Sequence, residues 1–187
     1  MPESLDAQIV MSAENISDAL RRMAAELVQT HAHHEFVLLG ILRRGRPLAD
    51  RLADEVEAST GARPNVGSLA TTLYRDDLRS GKVAVSTGRG ETHFEFDVDG
   101  AHVVLVDDVL NSGRTVRAAL DEVMDYGRPA RIQLACLIDR GLRELPIRAD
   151  YLGKSIETAP GDHVAVRLAD LDGEDVVLLE SGASEAG

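Results

Sequence analysis

The 187-residue chain contains no tryptophan and only 3% aromatic residues, which argues against a surface that stacks successive bases on aromatic rings. It has one cysteine, Cys136, so no intramolecular disulfide can form. That cysteine lies in an apolar run and reads as a buried thiol in a reducing compartment. Positive charge is scarce: 20 Lys and Arg stand against 32 Asp and Glu, for a net charge of −12. This sign opposes non-specific nucleic-acid binding and makes DNA an improbable partner, while leaving room for a local basic patch. The acid excess itself reads as solubility. The longest strongly apolar run, residues 36–42, is too short to span a bilayer. The opening MPESLDAQIV has neither the basic start nor the apolar core of a signal peptide. These features together predict a cytoplasmic protein with no membrane partner. There is no GxxxxGK[ST] P-loop, and no GxGxxG follows an apolar strand-like run.

Hydrophobic residues make up 44% of the chain, and neither a repeat nor a linker interrupts it, so residues 1–187 are expected to form one domain. Ile16, Leu20, Met23, Ala24, Leu27 and Val28 recur at helical spacing, with Asn15 or Ser17 as a candidate cap. Residues 36–42, 102–106 and 131–138 read as buried strands, being short and apolar without polar alternation. Pro47 can open a helix carrying Leu48, Ala49, Leu52 and Val56 inward. Val116, Ala119, Leu120 and Val123 mark another helix over residues 115–126. Residues 66–73, 93–96, 164–168 and 176–179 are further candidate strands, the last two joined at Asp172-Gly173. Residues 77–91, rich in Gly, Ser, Thr and charge, read as a mobile loop. Strands alternating with helices predict an α/β protein, a mostly parallel twisted sheet with helices on both faces and active groups at the strands' carboxyl ends.

The string VVLVDDVLNSGRT, residues 103–115, carries the chemistry. A buried strand delivers Asp107 and Asp108 to its carboxyl end; Asn111, Ser112, Gly113 and Arg114 turn; Thr115 opens a helix. Such a turn aims backbone N–H groups and two hydroxyls at one point beside the positive end of the helix, which makes a cradle for a monophosphate. The carboxylates would repel phosphate but accept hydrogen bonds from neighbouring ribose hydroxyls. Cradle and diol clamp together describe a ribose 5-phosphate. The alternative is a strand–turn–helix whose acids merely cap the helix.

This string resembles the signature of the type I phosphoribosyltransferases. The likeness extends through LYRDDL (residues 73–78), Gly127-Arg128-Pro129, Asp139-Arg140-Gly141 and RELPIRADYLGK to nearly the whole chain, and there it resembles the PyrR family. Those are bacterial regulators of the pyrimidine operon with uracil phosphoribosyltransferase activity. The resemblance implies the type I phosphoribosyltransferase fold with a small hood built from the N- and C-terminal segments. It also implies that uracil and phosphoribosyl diphosphate (PRPP) react to give UMP and diphosphate, with Mg²⁺ held mainly by the substrate rather than by the chain. On this reading Asp107, Asp108 and Arg44 are catalytic. Val109, Leu110, Asn111, Ser112, Gly113, Arg114 and Thr115 bind PRPP or nucleotide, and Arg43, Arg44 and Gly45 form the diphosphate loop around a strained Arg43–Arg44 peptide. Tyr74, Arg75 and Asp76 open the mobile loop, while Ile138, Arg140 and Val164 surround the base, read largely through backbone groups. The chain departs from the family at Asn111-Ser112, where Tyr-Thr is usual, and at Arg43, where Thr is usual.

The same resemblance implies UMP-dependent binding to the leader mRNA of the pyrimidine operon, and a homo-oligomer, dimeric or larger. Arg21, Arg22, Arg143, Arg148 and Lys154 could form one basic face; an ordinary dispersal of basic residues reads equally well. Two further alternatives stand beside these: transfer to another base such as a purine or orotate, and a PRPP- or nucleotide-sensing regulator without catalysis. His31, His33, His34 and Glu35 match no common zinc spacing and read as a helix-to-strand connection.

Overall fold

The computed structural model describes residues 7–71 and 92–182, so the expected mobile loop and its opening residues Tyr74, Arg75 and Asp76 lie outside the described residues. Five strands, β2 (Phe36–Ile41), β3 (Asn65–Leu69), β4 (His102–Leu110), β5 (Arg131–Asp139) and β6 (Tyr151–Ser155), form a parallel sheet in the order β3-β2-β4-β5-β6. Alternation along the two longest strands assigns each residue to a face. Val104, Val106, Ala135 and Leu137 face α1 (Ala13–Thr30) and α2 (Gly45–Thr60), while Val103, Leu105, Leu134 and Cys136 face α3 (Arg114–Tyr126). Both faces are covered, which is why these strands read as unbroken apolar runs. Burial also pushes the Cys136 thiol up, with Asp107 and Asp108 adding to the effect, so it is inert.

A second sheet, antiparallel in the order β1-β8-β7, is built from β1 (Ala7–Met11), β7 (His163–Arg167) and β8 (Val176–Glu180), with α4 (Ala169–Asp172) between the last two. It brings β1 together with β7 and β8, and we refer to this sheet with α4 as the hood. Strand β1 has no signal in the sequence because its first residues, Ala7, Gln8 and Ile9, are exposed and it depends on β8 for its pairing. Three other expectations need correcting. Ser12, not Asn15 or Ser17, caps α1: its hydroxyl accepts from the Asn15 N–H at 3.3 Å, while Asn15 Oδ1 accepts from the Ser12 N–H at 3.1 Å. Helix α2 starts at Gly45, two residues before Pro47. Residues 93–96 contribute a single antiparallel bridge, Ser68 with His93, rather than a strand. Among the described residues no helix is long and apolar enough to cross a membrane.

The histidine-rich connection packs at the amino end of the sheet, opposite the end that carries the acids. His31 is buried, with Nδ1 3.4 Å from His102 Nδ1 and Nε2 3.4 Å from the Tyr151 hydroxyl, which in turn donates to Gln133 at 3.3 Å. Burial, with the neighbouring His102, lowers the His31 pKa below its ordinary 6.5. The folded state therefore binds fewer protons than the unfolded state once pH falls below about 6.5, and stability is lost on acidification from there. Melting temperature followed from pH 7.5 to 5 should fall more steeply for the native protein than for His31→Asn. Parallel curves would contradict this.

Candidate active site

Strand β4 is the centre of the parallel sheet, so its carboxyl end opens between neighbours on both sides. Asp107 is paired in register with Cys136 and is 6% exposed, whereas Asp108 is half-buried. Each carboxylate bonds forward along the chain: Asp107 Oδ1 accepts the Asp108 N–H, and Asp108 Oδ1 accepts the Val109 N–H, both at 2.9 Å. Burial first, and the adjacent Asp108 charge second, raise the Asp107 pKa well above the usual carboxylate range. Two acids at the end of a buried strand, one holding its proton unusually well, make a site for hydroxyl groups.

The turn that follows is as compact as the sequence requires. Gly113 has φ +94° and stands at the N-terminus of α3, with the Arg117 N–H donating to its carbonyl at 2.9 Å. Ser112 Oγ accepts the Arg114 N–H at 3.3 Å. Val109 and Leu110 complete β4, and Thr115 lies in the first turn of α3. Asn111 is exposed and contributes its backbone carbonyl to the turn's support. The N–H groups of this first turn form the positive end of the helix, a place suited to an anion.

What braces the turn is the segment after β5. Arg143 donates through Nη1 to the carbonyls of Asn111 at 2.6 Å, Gly141 at 3.0 Å and Leu110 at 3.3 Å. Its Nε donates to the Ile147 carbonyl at 2.8 Å, and its Nη2 to Asp139 Oδ2 at 2.5 Å. The N–H groups of Glu144 and Leu145 both donate to the Ser112 carbonyl, at 3.0 and 3.1 Å. Glu144 holds Arg114 at 2.8 Å, and Leu145 and Ile147 lie 3.4 Å from where a Cβ on Gly113 would be. RELPIRADY is thus the brace of the turn that follows β4. Sequence reasoning singled out Asp139 only as part of Asp139-Arg140-Gly141 and missed the bracing role of Arg143; the available signal was an arginine beyond the end of a buried strand, among residues that form no element.

The expected diphosphate loop lies across the crevice, between β2 and α2. Arg43 is exposed, Arg44 is half-buried, and Gly45 packs so closely that a Cβ there would lie 2.2 Å from the Val106 carbonyl oxygen. The cis peptide joins Leu42 to Arg43, one bond earlier than the Arg43–Arg44 peptide expected from the sequence. Gly45→Ala should push this loop away from β4, costing about 1–3 kcal/mol of overpacking. Denaturant titration would read that loss, and weaker PRPP binding should accompany it; unchanged stability would contradict the close approach.

The expected base-contacting residues meet at the same end of the sheet, in unequal ways. Ile138 is fully buried in β5, paired with Val109 on one side and Lys154 on the other, and Val164 is buried in β7. Arg140 sends its backbone N–H to the Leu110 carbonyl at 3.1 Å, but its side chain clamps the hood segment through Thr158, Ala159 and Asp162. Of the five residues expected on a basic face, four have intramolecular partners. Arg21 pairs with Asp18 and Glu55, Arg22 holds Glu26 and the Leu152 and Gly153 carbonyls, Lys154 holds the Val10 carbonyl, and Arg143 braces the turn. Arg148 is exposed.

With this geometry in place, the comparisons decide the family. Residues 8–178 match the phosphoribosyl transferase domain family. The chain is 50% identical over 174 residues to the bifunctional protein PyrR of Pelotomaculum thermopropionicum, covering 92% of this chain and 95% of that one. It is 49% identical over 176 residues to the bifunctional protein PyrR of Chloroflexus aurantiacus, covering 94% and 96%. The chain belongs to the PyrR family. A hypoxanthine-guanine phosphoribosyltransferase from Bacillus anthracis shares its fold, with a TM-score of 0.71, 17% identity, and coverage of 91% of this chain and 96% of that one. The two acids and the braced turn lie within the residues that match this family.

Proposed function

We propose that this chain transfers the 5-phosphoribosyl group of PRPP to uracil, giving UMP and diphosphate, and that its UMP-bound form regulates pyrimidine genes by binding their leader mRNA. The observation that carries the enzymatic part is the pair Asp107–Asp108 set at the end of β4 beside a phosphate turn braced by Arg143. The turn would take the 5-phosphate, the two acids the ribose diol, and the loop of Arg43, Arg44 and Gly45 the diphosphate. As the bond from C1 to the diphosphate oxygen breaks, positive charge builds on the sugar; the uracil nitrogen bonds to C1 and loses its proton. No nucleophile on the chain is needed, so the residues act by positioning and by electrostatics. Among the described residues no cluster of three or more His, Cys, Asp and Glu is built to hold a metal, and the carboxylates present are the neighbouring Asp107 and Asp108. A Mg²⁺ brought in with PRPP would sit beside Asp107 and Asp108 and would neutralise charge on the leaving group.

The regulatory part rests on the family, and Arg148 is the exposed residue on which to test it. A cytoplasmic location and a homo-oligomeric state belong to the same proposal. Spectrophotometric assay of UMP from uracil, PRPP and Mg²⁺ tests the transfer. Turnover of hypoxanthine or orotate in place of uracil would replace the base, and PRPP binding without product would leave a regulator without catalysis. Gel-shift titration against the organism's own pyrimidine leader tests the second part. Salt-sensitive binding to any RNA, indifferent to UMP, would contradict it.

A further inference from the structure

Arg44 joins two parts of the chain that are 128 positions apart. Its Nη2 lies 3.1 and 3.3 Å from the two carboxylate oxygens of Asp172, the last residue of α4 in the hood. The carboxylate is fixed independently, since Oδ2 accepts the Leu168 N–H at 2.9 Å. That hydrogen bond, together with the Arg44 guanidinium, holds the Asp172 carboxyl below its ordinary pKa, so it is ionised wherever the protein works.

The hood does not depend on this contact for its attachment. Arg51, on α2, grips Asp170 at 2.5 Å and Asp175 at 2.9 Å, and Asp175 also accepts the Ala169 N–H at 2.7 Å. Nor does α2 need the Arg44 side chain, which makes no cap hydrogen bond at that helix start. The Arg44 Nε is enclosed without an acceptor, so its orientation is set at the guanidinium end. A long side chain at the mouth of a crevice has many rotamers, and a fixed carboxylate selects one of them. Arg44 offers five donors, and Asp172 occupies one nitrogen, leaving donors for an incoming anion.

We propose that Asp172 is a positioning residue: from the hood it orients Arg44 toward the diphosphate of PRPP. This rests on the diphosphate role proposed above for Arg44. The hood thereby sets the geometry of the loop that opens α2, and the charge pair, being partly exposed, is weak enough for diphosphate to share the guanidinium.

The test is steady-state kinetics on a small set of variants of the full chain. Asp172→Asn should raise KM for PRPP about tenfold, with KM for uracil unmoved and kcat within about twofold. Arg44→Ala should raise KM for PRPP at least as much and lower kcat as well, and the double variant should be no worse than Arg44→Ala alone. Asp175→Asn loosens the same turn without touching Arg44, so it should lower the melting temperature while leaving KM for PRPP in place. An unchanged KM in Asp172→Asn, full additivity with Arg44→Ala, or an equal rise in Asp175→Asn would each overturn the proposal. If the native protein forms no UMP, the functional reading fails, and the coupling is then read by calorimetric titration with Mg²⁺-diphosphate. Weaker binding in both Asp172→Asn and Arg44→Ala would support positioning, and undiminished binding in Asp172→Asn would refute it.

Discussion

Replacing Asp107 and Asp108 together by Asn is expected to lower kcat/KM for UMP formation by at least about a hundredfold while leaving the fold intact. The substitution preserves shape, and an amide oxygen can still accept the Asp108 and Val109 N–H bonds that hold this stretch of β4. What disappears is negative charge beside the ribose ring, where positive charge develops in the transition state. Stability should move the other way. Folded Asp107 holds its proton to higher pH than the unfolded residue does, so between those two values the folded state binds more protons. Stability therefore falls as pH rises through that window, and Asn removes this penalty near neutrality. A melting temperature equal to or above that of the native protein, together with lost turnover, is the expected pairing. Retained turnover would refute the diol-clamp role, and a collapsed melting temperature would show that the acids are structural.

Arg143→Ala should be the more damaging change to the molecule as a whole. It strips the side-chain donor from the carbonyls of Asn111, Gly141 and Ile147, removes one of two donors from that of Leu110, and leaves the Asp139 carboxylate with the Gly141 N–H but no countercharge. A loss of about 2–4 kcal/mol of stability is expected. Affinity for PRPP should fall by about tenfold or more, because the turn that would hold the 5-phosphate no longer has a fixed carbonyl frame. Lysine cannot replace a fork that reaches these acceptors in different directions, so Arg143→Lys should restore little. Arg148→Gln offers the contrast: Arg148 is exposed, and stability should change by less than about 0.5 kcal/mol. If Arg143→Ala leaves both urea unfolding and PRPP titration unchanged, the brace is not what holds the turn. If it weakens RNA binding only in proportion to lost UMP binding, the residue acts on RNA through the site rather than by contact.

The strength of the sequence signal followed the locality of the interactions. Strands β2, β4 and β5 were legible because burial on both faces leaves an unbroken apolar run, and the two acids stand out where the β4 run ends. Gly113 was legible because only glycine takes φ +94° without strain. By contrast, Arg143, Arg22 and Lys154 looked like surface charge, yet their partners are backbone carbonyls up to 144 positions away in sequence. A backbone acceptor carries no residue identity, so nothing in the sequence announces the pairing. The Arg44–Asp172 contact was hidden for a related reason: the hood unites the two ends of the chain, and the turn that carries Asp172 shows in sequence only as a link between strands. Strand β1 was invisible because its first three side chains are exposed and it depends on β8 for its pairing.

The most direct measurement is a crystal structure of the protein with UMP. The 5′-phosphate should lie within hydrogen-bonding distance of the backbone N–H groups in the turn from Asn111 to Thr115, with the ribose hydroxyls on Asp107 and Asp108. Nucleotide bound elsewhere, for instance in the cavity of about 420 Å³ beside His31 and Phe36 at the amino end of the sheet, would contradict the account.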